Sequence, residues 1–474
     1  MPKFDTNVQE LKYKVLKEIA IASFNGTLIK DFYDIPEIVV PGPKPTMRCC
    51  IYKERAIVLK RMKFAVSGIK NSKNVVQVLN IACDECPLGG YKVTENCRGC
   101  IAHRCEKACI KKAITFDIKT HQAIIDKTKC INCGMCAKAC QYGAILNFKR
   151  PCESACKVKA ISMGDDYAAK IDDSKCIQCG ACVYQCPWGA IMDVSSITEV
   201  IEFLKDSNFS KKYNVYAVVA PSISSQFKSV SLGQVITSLK TLGFHSVVEA
   251  ALGADMTAYD EAKELSEKKF LLSSCCPSFV AYIRKYYPNL VKYISSNLSP
   301  MARISKYIKE SDPLSKIVFI GPCISKKEEI NSDDVKSYVD SVLTFEELQA
   351  LIDARNIEMS KLVESKLNNA SYFGRIFARC GGLTDAIIEA LKEQNINFEV
   401  KSVKVDGLEN CKIVLDKANS GTSDFNFIEG MACVNGCIGG PCCLTHEVRD
   451  KSEVDKYGKE ALEKTIISAI DILK

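Results

Sequence analysis

Histidine and tryptophan are nearly missing from this chain, at four and one in 474 residues. A metal site built on imidazoles therefore has few ligands to recruit. Long apolar runs are missing too: no stretch reaches the roughly 20 residues that cross a bilayer as a helix, and no membrane partner is expected. The N-terminus, M-P-K-F-D-T-N-V-Q-E-L-K, has no apolar segment of the signal-peptide kind, so a cytoplasmic protein is expected. Dense basic tracts are absent as well. The formal charge is +8, but the lysines are scattered along the whole chain, which argues against nucleic acid and for a solvated surface with room for a local basic docking patch.

What the chain has instead is cysteine, 27 in all. The number is odd, and an unsecreted chain of this size uses cysteine for metal or redox chemistry rather than for a disulfide framework. With so little histidine, thiolate must dominate the ligation, which favours iron–sulfur clusters or zinc. A C-x₃-C pair followed by Ala-Ile recurs four times, starting at Cys105, Cys136, Cys152 and Cys182 and ending at Ile114, Ile145, Ile161 and Ile191. This is the back half of a bacterial ferredoxin repeat: two ligands on a tight turn, then a short strand. Four repeats make two modules. Zinc would account for a lone C-x₂-C pair but not for four tandem units.

The front halves differ. Cys130, Cys133, Cys136 and Cys140 follow C-x₂-C-x₂-C-x₃-C, as do Cys176, Cys179, Cys182 and Cys186. Cys97, Cys100, Cys105 and Cys109 carry two extra residues before the third cysteine. The repeat at Cys152 has no front half beside it, while Cys83 and Cys86 form an unassigned C-x₂-C upstream. In two-cluster ferredoxins the fourth cysteine of one repeat ligates the other repeat's cluster. Applied here, the rule pairs Cys97, Cys100 and Cys105 with Cys140. It pairs Cys130, Cys133 and Cys136 with Cys109, and Cys176, Cys179 and Cys182 with Cys156. Cys83, Cys86, Cys152 and Cys186 are left as a fourth complete set, so three to four accessory 4Fe–4S clusters are expected. His103 reads as a loop residue beside ligands that already suffice. Vicinal Cys49 and Cys50 read as packing residues.

Residues 1–80 contain no repeat. Asn7–Ala22 has the apolar spacing of a helix, and P-G-P-K-P at 41–45 reads as an extended linker. After about residue 200 strands and helices alternate. Apolar runs at 215–221, 245–250 and 316–323 read as buried strands, and 254–268 reads as a helix. Three more cysteine segments lie here: L-L-S-S-C-C-P at 271–277, G-P-C-I-S-K-K-E-E at 321–329 and E-G-M-A-C-V-N-G-C at 429–437. They are too far apart to form a local motif. Each follows an apolar run, which places it at the carboxyl end of a strand, where open α/β sheets build their sites.

The order, internal spacing and flanking residues of these three segments resemble the signature of the [FeFe]-hydrogenases, the iron-only hydrogenase family. The changes at Gly321 and Phe279, the tail G-G-P-C-C-L, and R-C-C-I-Y-K-E-R-A-I near the N-terminus resemble its less-studied group B branch. The resemblance implies a multidomain α+β and α/β chain. An N-terminal region (1–80) would precede two tandem ferredoxin-like modules (81–198) and an α/β H-cluster domain (199–474). It implies an H-cluster, a 4Fe–4S cubane joined through one cysteine to a diiron unit carrying CO, cyanide and an azadithiolate bridge.

The matching cubane ligands are Cys276, Cys323, Cys433 and Cys437, with Cys437 in the bridging position. The proton-donating thiol matches Cys275, and the relay behind it matches Glu261, Ser295 and Glu264, with Lys268 where the family usually has arginine. Lys326 and Ser222 match donors to the cyanides, and Met431 a residue packed against the diiron unit. Glu329 is expected to pair with Lys326 or a neighbour. The implied reaction is 2H⁺ + 2e⁻ ⇌ H₂, with a ferredoxin or flavodoxin-type carrier and H-cluster maturases as partners. The competing readings are a non-catalytic electron-relay or cluster-assembly relative, and a hydrogen sensor.

Overall fold

Each short C-x₃-C turn delivers the chain into a small antiparallel sheet. The computed structural model describes residues 3–67, 74–87 and 89–473. In it, Ile114–Phe116 pairs with Ala123–Ile125, and Gly90–Val93 with Ile145–Phe148. Ile161–Met163 pairs with Ala169–Ile171, and Val76–Val78 with Ile191–Asp193. The first module thus occupies residues between the two parts of the second. Val76–Val78 and the Cys83/Cys86 segment come before it, and residues 151–193 after it. That insertion is why the repeat at Cys152 has no adjacent front half. The strand Val76–Val78 also lies upstream of the boundary expected at residue 81.

The remaining chain folds around two parallel sheets. The first runs Ser246–Glu249, Val215–Val219, Lys316–Gly321, Ser341–Thr344 in spatial order. The second runs Leu271–Leu272, Phe427–Met431, Ser402–Asp406. Their central strands are apolar without alternation because parallel sheets are covered on both faces; Val215, Ile317, Val318, Ile320 and Phe427 are all fully buried, whereas the edge strand Ser402–Asp406 alternates apolar and polar residues. The helix expected at 254–268 begins earlier, and Ala250–Lys268 continues directly from the strand Ser246–Glu249. No helix among the described residues is long and apolar enough to cross a membrane.

The N-terminal region is tied into both neighbours. Helix Asn7–Asn25 begins at Thr6, whose side chain accepts from the Gln9 N–H, and ends at Gly26 with φ 73°. Such a left-handed terminal position favours glycine. It buries Val15, Leu16 and Ile19 as its periodicity requires, but also Lys12. Lys12 Nζ lies 2.5 Å from Asp193 of the last ferredoxin-like strand and 2.5 Å from Glu346. Lys327 Nζ completes the network at 2.8 Å from Asp193 and 3.0 Å from Glu347. Burial pushes the Asp193 carboxyl up, but the two lysines outweigh it and hold it well below the usual range. Removing one partner of a buried network leaves an uncompensated charge. Lys12→Met is therefore expected to cost about 3–5 kcal/mol, read as a lower denaturant midpoint of the cluster-loaded protein.

Vicinal Cys49 and Cys50 do not pack in the core. Cys49 is exposed and Cys50 only half-buried, because they precede the helix Ile51–Val66 on the surface. The 41–45 stretch is exposed and non-helical, as expected. All 27 cysteines are free of disulfides.

Candidate active site

The carboxyl ends of both sheets open onto one cavity of about 100 Å³. Ser222 follows the strand Val215–Val219, and Cys323 follows Lys316–Gly321. Cys275 and Cys276 follow Leu271–Leu272, and Cys433 follows Phe427–Met431. Cys276, Cys323, Cys433 and Cys437 all line the cavity, although up to about 160 residues separate them in sequence. Cys437 is enclosed by protein yet accessible, because it faces this space.

Burial first, then the neighbouring thiols, push Cys323 up to about 11 and Cys437 to about 12. Burial also pushes Cys433 well up, with Cys323, Cys276, Cys179 and Cys437 all acting on it. Four crowded thiolates are costly without a cation between them, and a metal core inverts that balance. Among the described residues, no three His, Cys, Asp or Glu side chains stand close enough to hold a single metal ion. A cubane spreads its thiolates around a larger body, and the converging cysteines fit that kind of core.

The rest of the lining suits an occupant with polar ends on an apolar body. Pro221, Ala250, Ala254, Met301, Phe319 and Phe377 supply apolar wall. Ser222 is fully buried and among the described residues its Oγ has no hydrogen-bond partner, a costly state for a hydroxyl unless something in the cavity receives it. Lys326 Nζ reaches the same wall, 2.5 Å from Glu329 and 3.0 Å from Ser299 Oγ. Burial acts to lower the Lys326 ammonium, but Glu329, Cys323 and Cys275 more than offset it and keep it charged. Met431 is buried and lines the cavity beside Ala432.

A polar path leaves the cavity on the side of Cys275. Burial, then Glu261, push the Cys275 thiol well up, so it stays protonated. Glu261 is fully buried; desolvation raises its carboxyl to about 7 against hydrogen bonds from Ser295 and Ser274. Ser274 Oγ donates to Glu261 at 3.2 Å, and Ser295 Oγ donates to Glu264 at 2.8 Å. Glu264 sits 2.6 Å from Lys268 Nζ, whose side chain is 41% exposed. Burial acts to raise Glu264, but Lys268 and the Ser296 and Ser295 donors bring it below its ordinary value. The path Cys275, Glu261, Ser295, Glu264, Lys268 therefore runs from the cavity wall to solvent.

Some residues of this site were not legible in the sequence. Ser274 and Asn297 hold the two glutamates, with Asn297 Nδ2 donating to Glu264 at 2.8 Å. Ser299 both caps the helix Pro300–Ser311 and accepts from Lys326. A Ser-Pro helix start was the only local signal for it.

The accessory cysteines gather in sets. Cys109, Cys130, Cys133 and Cys136 line one small cavity, and Cys156, Cys176, Cys179 and Cys182 line another. Cys97 and Cys140 act on the Cys105 thiol, and Cys83, Cys86 and Cys186 act on Cys152, which burial and they together raise to about 12. Cys100 stands exposed on the loop before Cys105. Cys179 also lines the cavity at the sheet ends, so one set abuts it. His103 stacks on Phe116 with ring centroids 3.7 Å apart and meets Glu106 at 3.2 Å, as a loop residue. Cys411, Cys442 and Cys443 are fully buried.

Comparison with known proteins follows this layout. Residues 213–441 match the family described as iron only hydrogenase large subunit, C-terminal domain. Residues 123–146 and 169–192, the two regular cysteine repeats, match the 4Fe-4S binding domain. The chain is 30% identical over 380 residues to the periplasmic [Fe] hydrogenase large subunit of Nitratidesulfovibrio vulgaris, covering 68% of this chain and 86% of that one. It is 27% identical over 472 residues to iron hydrogenase 1 of Clostridium pasteurianum, covering 86% and 80%. It is also 24% identical over 315 residues to a probable cytosolic Fe-S cluster assembly factor of Aedes aegypti, covering 51% and 66%.

Proposed function

The chain belongs to the iron-only hydrogenase family, and on that premise we propose that it interconverts protons, electrons and H₂ at the cysteine-lined cavity. The observation that carries the proposal is the buried path from Cys275 to Lys268. An electron-relay or assembly protein needs thiolate ligands, but it has no use for a protonated non-ligand thiol leading to solvent.

Cys276, Cys323, Cys433 and Cys437 would hold the H-cluster. When bound, that group would supply the electron storage and the metal chemistry by which H₂ is formed or split. The chain's own residues do the rest. Cys275 moves a proton between the cavity and the Glu261 carboxylate, which burial tunes to about 7, near working pH. Glu261 exchanges it through Ser295 with Glu264, and Lys268 holds Glu264 charged and open to solvent. Ser222 and Lys326 would donate to the polar ends of diatomic ligands, the lysine through a charge-assisted bond. Apolar walls keep bulk water from competing.

Electrons would arrive through the accessory clusters, the set holding Cys179 being last before the cavity. Cys100 and Cys133 are exposed on the first module, where a ferredoxin or flavodoxin-type carrier would dock.

The test is an infrared spectrum of anaerobic protein matured with H-cluster maturases, together with an H₂-evolution assay. Metal-bound CO and cyanide bands with H₂ evolution are expected. A full iron–sulfur complement without those bands, beside a matured control that shows them, would instead establish an electron-relay or assembly protein. Ser222→Ala, which leaves every thiol in place, is expected to shift the cyanide bands and leave the iron content unchanged.

A further inference from the structure

The set Cys83, Cys86, Cys152 and Cys186 differs from its neighbours in what surrounds it. Cys83, Cys152 and Cys186 are 4–5% exposed. Two guanidinium groups are buried beside them. Arg61, from the helix Ile51–Val66, is 1% exposed and lies over the turn that follows Cys186, its Nη2 donating to the Gly189 carbonyl at 2.9 Å. Arg150 is 2% exposed, next to the segment that carries Cys152, and acts on Cys86. Among the described residues its Nη1 and Nη2 have no hydrogen-bond partner, and neither has Arg61 Nε.

Among the described residues no carboxylate forms an ion pair with either arginine. Asp84 and Glu85, the nearby acids, face Arg48 and Lys53 instead. Glu153 acts on Cys152 and Asp193 on Arg61; Asp193 is already paired with Lys12 and Lys327, so the two arginines stand against one carboxylate that is not neutralised elsewhere. A buried arginine with idle donors is costly, unless an anion beside it takes the field and the hydrogen bonds.

We propose that Arg61 and Arg150 make this site the first to be reduced of the two in the second module, so that an electron rests there. The neighbouring set, Cys156, Cys176, Cys179 and Cys182, lies between this site and the cavity, for Cys182 feels both Cys179 and Cys152. The proposal rests on the reading that Cys83, Cys86, Cys152 and Cys186 hold a 4Fe–4S cluster.

One-electron reduction, by a low-potential carrier, adds one negative charge to an already anionic four-thiolate site. Burial opposes that charge at both sites and so does little to rank them. Cations rank them: charge and hydrogen bonds at the sulfurs set cluster potentials. At the other site the cation that acts on Cys176 is Lys285, which is exposed, donates to the Asp173 and Cys176 carbonyls, and is screened by water. Residues 3–67 thereby gain a task, since the N-terminal helices bring Arg61 to the turn after Cys186.

The experiment is a redox titration followed by electron paramagnetic resonance on the full chain, loaded with iron–sulfur clusters but not with the diiron unit. Cys152→Ser and Cys156→Ser assign the two signals. The signal lost in Cys152→Ser should be the one reduced first. Arg61→Met and Arg150→Met should each lower its reduced-to-oxidised ratio at fixed potential about tenfold, equivalent to about 59 mV for a one-electron couple. Arg61→Lys should restore most of that shift, and the first module's signals should stay in place.

An unmoved midpoint in both methionine variants, with iron retained, overturns the proposal, and so does reduction of this site after its neighbour in the unaltered protein. If the methionine variants lose iron, the order of the two signals in the unaltered protein decides alone. Unchanged iron content and signals in Cys152→Ser would show that the site holds no cluster, a failure of the underlying reading rather than of the ranking.

Discussion

Cys275→Ala is expected to lower H₂ evolution by about 10²–10⁴-fold, the usual contribution of a positioned proton donor, while iron content and the CO and cyanide bands stay as they were. The substitution removes one sulfur atom and nothing that holds the site. Lys326 contacts the Cys275 carbonyl at 3.5 Å, which alanine keeps, and is anchored independently by Glu329 and Ser299. The four cavity cysteines taken as ligands are untouched. What disappears is the only titratable group between the cavity and Glu261 on the path described above. Cys275→Ser keeps a donor but one far less acidic than a thiol, and it should recover little. A Cys275→Ala protein that evolves H₂ at the original rate would remove the relay from the mechanism.

Glu261→Gln should be nearly as severe, about 10²-fold or more in rate, and it carries a pH signature. Desolvation, with a smaller push from Glu264, lifts the Glu261 carboxyl from 4.5 to about 7. Below about pH 7 it is loaded with a proton, so H₂ evolution should rise as pH falls through that value; the glutamine variant should be slow and flat.

The same shift has a consequence for stability. A carboxyl raised in the folded state holds its proton there after the unfolded chain has released it. Its stabilising contribution is complete below about pH 4.5 and is lost as pH rises through about 7. That loss amounts to about 3 kcal/mol and should be missing from Glu261→Gln. Asp255, buried and raised to about 8, titrates in the same direction, but it is common to both proteins, so the difference between their unfolding curves against pH isolates Glu261.

Much of the candidate site could be read from the chain because its ligands are chemically distinctive and stand at strand ends. Cys276, Cys323, Cys433 and Cys437 each follow an apolar run, and parallel sheets gather such positions at one edge. Glu261 and Glu264 were the opposite case. Two carboxylates three residues apart on a helix are common on solvated faces, and only the fold shows Glu261 to be fully buried. The uncapped repeat at Cys152 and the stray pair Cys83 and Cys86 could be matched by elimination, but an insertion of one module into another leaves no local trace. Lys12 stands, by spacing, on the apolar face of its helix, four residues from both Val8 and Leu16. Only the fold shows why a charge is tolerated there: acids from two other parts of the chain receive it.

The sequence by itself determined the metal chemistry, the repeat architecture and the α/β class, since these follow from residue type and from periodicities that span only a few positions. Tertiary structure alone decided which carboxylates are dry, which arginines stand unpaired beside cysteines, and which side of the cavity connects to water. Those properties depend on burial and on charges brought together from distant segments, and a free energy of desolvation exists only once the chain has closed around the group.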